Sequence, residues 1–504
     1  MNQEIIYQNI ENSIKKILNY VDDNFYSETY GLADRDFWGW RTKDFNNSSF
    51  QCLIYTLSCI KNEKRFEKIY HKYNQDKKID SAFEAYKFGC FEELKKYKSA
   101  HEAFPYEKSF CVTSVLLFDL LSALLISNDI EGLLSEEKEI LIKSAEFISK
   151  NIESHAKIGN HLMAGLASLS LFSKTIQKDN KIVQKGISEI SLKLKSIWND
   201  EGWLEEYSGA DIGYLTLSLE YLTFIDKNYL KERDEWIDKI TNFVKYFFHL
   251  DGSIGSFYGS RGSAIIYPSG LFKTGSIEIK NFLIEAIKNK KIPTQEDLDD
   301  TNFAPFLNSL TRGYLSLDSK ITKNISLPIS KDKYLKVFKN AGLVVIKNNS
   351  HQTIIDLKNG GSESNFTLTI SNRGSIPTLV KNDSKKIFCA LNSKYEINQE
   401  SNTKIYIYSK FYKINTKPLN ISNILFSRLL VPFFNLFPFV LKFGKSFLAK
   451  RYFEPGKSIG FYEKEINIEN FSFDSSDSYS IPEGFRLVEN YNYHPIKMAS
   501  QNYI

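Results

Sequence analysis

The chain has 504 residues, enough for two large domains or about three average ones with cores of their own, which excludes a small stapled scaffold. Apolar residues at 42% and charged residues at 25% exclude a disordered chain and a many-span membrane protein. The net charge of +5, from 65 basic and 60 acidic residues, is too dilute for the basic stripe of a nucleic-acid binder.

Aromatic residues are frequent at 14%, with 29 Tyr, 38 Phe and 5 Trp, which suits both sugar stacking and a rich core. The N-terminal stretch is an amphipathic helical pattern carrying Glu4 and Glu11, with no basic and apolar leader, so a cytoplasmic protein is expected. Cys52, Cys59, Cys90, Cys111 and Cys389 are odd in number and lack CxxC spacing, and are read as reduced core residues.

From about residue 4 to 320 apolar residues recur at helical spacing. Val112, Val115, Leu116, Leu120, Leu121 and Leu124 form one such run, and others lie near 137–150, 162–172, 185–198, 212–225 and 234–250. Short polar loops between them predict antiparallel helical hairpins closing into an α/α toroid, assigned to residues 1–325. From about 335 the period becomes two, as in LKVFKNAGLVVIKN, HQTIIDLKN, TKIYIYSKFYKI and SIGFYEKEINI, which predicts an antiparallel β-sandwich over 335–504. The polar segment TKNISLPISKDK, with Pro328, marks the boundary.

Residues 424–451 interrupt the strand region with the most apolar stretch of the chain. Arg428, Lys442, Pro432 and Pro438 make it too short and too broken for a membrane span. It is either an insertion packed on the toroid or an interfacial segment whose Arg428, Lys442, Lys445, Lys450 and Arg451 meet anionic lipid.

Phosphate-cradling, dinucleotide, HExxH and GxSxG motifs are absent, and the seven histidines show no metal-ligand spacing, so neither cofactor nor metal is expected. What remains is a set of polar residues in apolar surroundings. Asn160 and His161 open the helix GNHLMAGLASLSLF; DEGWLEEYSGADIGYL contributes Trp203, Glu206, Tyr207 and Tyr214; DGSIGSFYGSRGSAII contributes Tyr258 and Arg261. All lie on loops at one end of the ring, where a binding site forms. Singly, each reads as a helix cap or a core aromatic with a bonded hydroxyl. Together, an amide, an imidazole, a carboxylate and phenols are what abstraction of a proton from carbon beside a carboxylate requires.

The order of toroid and sandwich, and Asn160-His161 followed by Gly202, Glu206, Ser208 and Tyr214, resemble the heparinase II/III and alginate lyase superfamily; Tyr214 stands 53 residues after His161. ADRDFWGWRTKDFNNSSFQ, SFCVTS, YGSRGSAIIYPSG and HPIKMASQNYI are similar to stretches of bacterial heparinase-like proteins. The resemblance implies that Asn160 neutralises a uronate carboxylate, that Tyr214 is acid and often base, and that His161 is the partner base. Glu206, Tyr207, Arg261, Tyr258 and Trp203 then bind substrate. It departs at NGGSESNFTLTI, where Ser362 and Glu363 stand in place of sandwich histidines, leaving only His351 and His494 in that half.

The implied activity is β-elimination of an acidic, uronate-containing polysaccharide or lipid-linked glycan. The alternatives are a C5-epimerase acting in capsule or O-antigen synthesis and a non-catalytic glycan-binding protein. A glycoside hydrolase would need paired carboxylates, with Glu206 and Asp211 or Asp36 as candidates. Partners expected are the glycan and a peripheral membrane contact but no nucleic acid; the sequence leaves the oligomeric state open.

Overall fold

The computed structural model describes residues 3–34, 46–101, 107–154, 156–255, 258–298, 300–318, 326–372, 374–382, 384, 386–399, 402–414, 421, 422, 425, 429 and 457–488. The insertion at 424–451 lies almost wholly outside them, as do Asp36, His155 and His494.

Helices follow one another from Glu4–Tyr20 to Asp300–Ser316. An inner set, Ile54–Asn62, Phe110–Ile126, Gly159–Thr175, Ile212–Leu222, Pro268–Thr274 and Asp300–Ser316, packs each on the next, and the last returns to the first, which closes a toroid. The inner helices Phe110–Ile126, Gly159–Thr175 and Ile212–Leu222 are buried on nearly every face. Their all-round apolar sequence permits nothing else. Outer helices such as Glu4–Tyr20 and Lys181–Ile197 bury one stripe only, Ile6, Ile10, Ile14 and Ile17 in the first and Val183, Ile187, Ile190 and Leu194 in the second.

Polar groups lock the ring across its middle. Asn308 donates to Asp119 Oδ2 at 2.9 Å and accepts from Thr56 at 2.8 Å. Arg312 pairs with Asp119 and reaches Glu220 Oε1 at 3.0 Å.

After Pro328 the chain is β-structure. Five antiparallel strands run in sequence order from Lys333–Phe338 through Leu343–Asn348, His351–Asp356 and Ser362–Phe366 to Ser371–Asn372. A six-stranded antiparallel sheet includes Ile387–Gln399, Thr403–Ile414 and Ser458–Glu469. Alternation along the strands assigns the faces. Val344, Ile346, Ile355 and Leu357 meet Ile405, Ile407, Ile466 and Ile468 of the other sheet. The intervening Leu343, Val345 and Ile354, with Phe366, join the core of the helical ring. The five-stranded sheet is thus the middle layer of three, buried on both faces.

The sheet meets the ring at the end where the inner helices begin. Asp356 Oδ2 accepts the Gly259 N–H at 2.9 Å, and Glu201 accepts the N–H groups of Asn340 and Ala341 at 2.8 and 2.9 Å. Gln352 accepts the Leu250 N–H at 3.2 Å. No helix among the described residues is long and apolar enough to cross a membrane.

Candidate active site at the junction of ring and sheet

The DEGW segment, expected as a plain helix-to-helix loop, forms a small hairpin, Trp198–Asn199 against Trp203–Leu204. A tight turn, Glu206 to Gly209, follows, closed by the Glu206 N–H on the Gly209 carbonyl at 2.8 Å. The turn is pinned to the start of helix Gly159–Thr175: Tyr207 N–H donates to Lys157 O at 2.7 Å and Gly159 N–H to Glu205 O at 3.1 Å. The approach is so close that a Cβ on Gly159 would lie 2.7 Å from Leu204 Cβ. Tyr207 adopts φ +62°, a left-handed conformation that costs a non-glycine residue roughly 1–2 kcal/mol, so the contacts around the turn over-determine it.

Glu206 is the centre of the site. Its Oε2 accepts from Asn160 Nδ2 at 2.9 Å and its Oε1 from Arg261 at 2.6 Å, with both charged side chains almost fully buried. Burial pushes the Glu206 carboxyl up, and the Arg261 cation and the nearby His161 oppose that shift. Arg261 stacks on the Tyr214 ring at 3.8 Å from its centroid and lies 5.1 Å from that of Tyr207. Asn160, Glu206, Arg261, Tyr207 and Tyr214 thus form one cluster, with His161 in its electrostatic reach.

Their layering differs from expectation. Asn160, Glu206 and Arg261 are buried, whereas His161, Tyr207 and Tyr214 are partly exposed. Asn160 and Arg261, expected to meet a substrate carboxylate, direct donors to Glu206 instead. Two further assignments are corrected. Tyr258 is 1% exposed, and its hydroxyl bonds the buried His249 Nε2 at 2.7 Å; it belongs to the ring–sheet interface, where His249 stacks on Phe366 at 3.7 Å. Trp203 is buried, donates to Glu201 at 3.1 Å and has the Lys358 ammonium over its ring, so no face is open to a sugar. The hydrolase pairing of Glu206 with Asp211 also falls, and Asp36 lies outside the described residues. Asp211 caps helix Ile212–Leu222 through the Tyr214 N–H at 2.9 Å and accepts the Ser263 N–H at 3.1 Å, and both Glu206 oxygens are occupied.

His161 Nδ1 lies 2.7 Å from Glu153 Oε2, and its imidazole also bonds the Cys111 side chain. Burial would lower its pKa, but Cys111 and Glu153 outweigh burial and hold it well above the ordinary histidine value. Held in this way, the imidazole favours its charged form, which stabilises negative charge nearby.

The sandwich contributes Lys358. Its Nζ and Cδ stand 3.4 and 3.9 Å from where a Cβ on Gly209 would be, beside the Glu206 turn. Burial lowers its pKa, opposed by Asp356, Glu205 and Glu201, and among the described residues no carboxylate comes within ion-pair distance of Nζ. Glu363, at a position where the resemblance implies a histidine, pairs instead with Lys464 at 2.7 Å, and His351 is exposed beside Ser350.

Sequence reasoning missed Glu153, Cys111 and Lys358. Lys358 was legible only as the cation just before the NGGSES turn. Glu153 and Cys111 carry no spacing signal, because they approach His161 from two other segments of the fold.

No family model and no curated protein matches the chain. Among solved structures, a heparinase III gene product is similar with TM-score 0.44 and 11% identity, over 94% of this chain and 70% of the other. A chondroitinase AC lyase is similar with TM-score 0.36 and 11% identity, over 83% and 68%; for the heparan sulfate lyase of Pedobacter heparinus the values are 0.31 and 11%, over 82% and 71%.

Proposed function

We propose that the protein removes the C5 proton of a uronate residue in an acidic glycan and expels the C4 oxygen by β-elimination. The observation that carries this reading is the convergence of two cations, Lys358 from the sheet and His161 from the ring, with the phenols Tyr207 and Tyr214 around the Glu206 turn. Lys358 suits the substrate carboxylate, for which it has no competing ion pair among the described residues. The charge that develops on that carboxylate as the proton leaves is stabilised by cations already in place, an effect worth several kcal/mol in preorganised sites. Tyr214, its ring stacked on Arg261, supplies a proton to the departing oxygen. Glu206, held by Asn160 and Arg261, is scaffolding for the two tyrosines and takes no proton itself.

The test is incubation with heparan sulfate, chondroitin and alginate oligosaccharides in D2O. Ultraviolet absorbance from a C4–C5 double bond supports elimination. Deuterium at C5 without a double bond replaces it with epimerisation, and binding without either change reduces the protein to a glycan binder.

A further inference from the structure

A separate cavity lies where the outer helix Arg233–Val244 and the turn after it, Lys245–Phe247, face strand Lys333–Phe338, an edge strand of the five-stranded sheet. It encloses about 470 Å³, within the range of roughly 300–1,000 Å³ usual for small-ligand sites, and shares no lining residue with the cluster around Glu206. Its aromatic wall is held in place by packing. The half-buried Tyr246 ring stands edge-on to Phe338 at 5.5 Å and to Tyr334 at 5.9 Å, and Phe338 packs in turn on Phe243 at 4.7 Å.

The charges of this cavity lack compensation. Lys245 comes from the ring and Lys336 from the sheet, and each places its Nζ 5.8 Å from the centroid of the same Tyr246 ring. Both side chains are half-buried, and among the described residues neither reaches a carboxylate within ion-pair distance. Lys245 donates only to Asn242 Oδ1, at 2.7 Å. The two acids of the cavity wall are engaged elsewhere: Asp200 pairs with Lys239 at 3.2 Å, and Glu201 accepts from the Asn340 and Ala341 N–H groups and from Trp203. Burial, with the neighbouring Lys331 and Lys336, lowers the Lys245 pKa, as expected of cations gathered without a counter-ion.

Folding gives no reason to bring like charges to one ring, since their repulsion opposes it; a bound anion removes that cost. Ammonium groups beside an aromatic ring and an amide match a sugar that carries a carboxylate or sulfate. The cations take the anionic group, the sugar C–H face packs on the ring, and the amide meets its hydroxyls. We infer that this cavity is a second glycan-binding site, which holds an acidic sugar residue through Lys245 and Lys336 with its ring against Tyr246. A chain seated here and at the Glu206 turn is anchored twice, so long acidic chains bind more tightly than short ones. The assignment does not rest on the elimination reading, because it requires binding and no chemistry.

Lysine reactivity tests it. The unsubstituted protein is acetylated with an N-hydroxysuccinimide ester, with and without heparan sulfate or alginate tetrasaccharides, and the rate at each lysine is read by mass spectrometry. Lys245 and Lys336 are expected to slow severalfold with an acidic tetrasaccharide, but not with maltotetraose or with sodium sulfate or phosphate at the same concentration. No slowing with either acidic tetrasaccharide overturns the proposal, and so does equal slowing with the inorganic anions or with maltotetraose. Lys358 is the comparison within the same map: slowing there without slowing at Lys245 and Lys336 overturns the second site and leaves the Glu206 site standing. By calorimetry, Lys245→Gln/Lys336→Gln should bind a long acidic chain roughly tenfold more weakly with an unchanged melting temperature, and Lys245→Arg/Lys336→Arg should restore the affinity. An affinity equal to that of the unsubstituted protein overturns the proposal, and should the Gln variant prove unstable, the reactivity map still decides it.

Discussion

Breaking the Arg261–Glu206 pair from either side should have unequal consequences, because only one partner has a neutral form to fall back on. In Glu206→Gln the side chain keeps its shape, but the Arg261 guanidinium stays charged at any working pH and loses its buried counter-ion. Removing one partner of a buried pair costs about 3–5 kcal/mol. With an unfolding entropy of roughly 2 cal/mol/K per residue over a ring of about 300 residues, this lowers the melting temperature by about 5–8 °C. In Arg261→Met the stranded Glu206 escapes by taking up a proton, which burial already favours. The folded state then holds a proton that the unfolded chain, titrating at the ordinary carboxyl value, has lost, so stability falls as pH rises, by up to about 1.4 kcal/mol per unit. Because the raised Glu206 carboxyl already makes the unsubstituted protein lose stability as pH rises, the loss in Glu206→Gln should not grow between pH 5 and pH 8 in chemical denaturation. The loss in Arg261→Met should be small at pH 5 and large at pH 8. Equal pH dependence in the two variants, or a Glu206→Gln protein as stable as the unsubstituted one, would refute the buried-pair argument.

Glu93 offers an independent pH test: burial raises its carboxyl to about 8, against hydrogen bonds from the His101 N–H and Ser48. Because its folded pKa lies above the unfolded one, stability should decline between about pH 4.5 and 8, and Glu93→Gln should flatten that decline in a thermal melt. His101, lowered to about 4 chiefly by burial, acts in the opposite sense, so its stabilisation is lost as pH falls from 6.5 towards 4 and should vanish from the melts of His101→Gln. Lys358→Gln should raise KM for a uronate substrate about tenfold and weaken its salt dependence, with a smaller change in kcat. Tyr207→Asn should leave the melting temperature within about 2 °C, since Asn tolerates the left-handed backbone, while turnover drops.

The helical ring and the sheets were legible in the sequence because burial writes its period into the chain. The run from Val112 to Leu124 lies in helix Phe110–Ile126, and SIGFYEKEINI lies in strand Ser458–Glu469. The candidate cluster was partly legible too, since Asn160, His161, Glu206 and Arg261 stand out as polar residues in apolar stretches. What each does was not. Whether Asn160 and Arg261 meet a ligand or hold Glu206 depends on distances between residues about 50–100 positions apart, and sequence spacing carries no information on those. Tyr258 and Trp203 looked like sugar-stacking aromatics, yet docking of the sheet on the ring covers both. The same docking brings Lys358 beside Gly209, and closure of the ring brings Cys111 and Glu153 to His161. Local periodicity determined the elements, and the packing of elements far apart in the chain decided which polar groups share a site, because burial acts on each segment separately whereas a site's charges act through space.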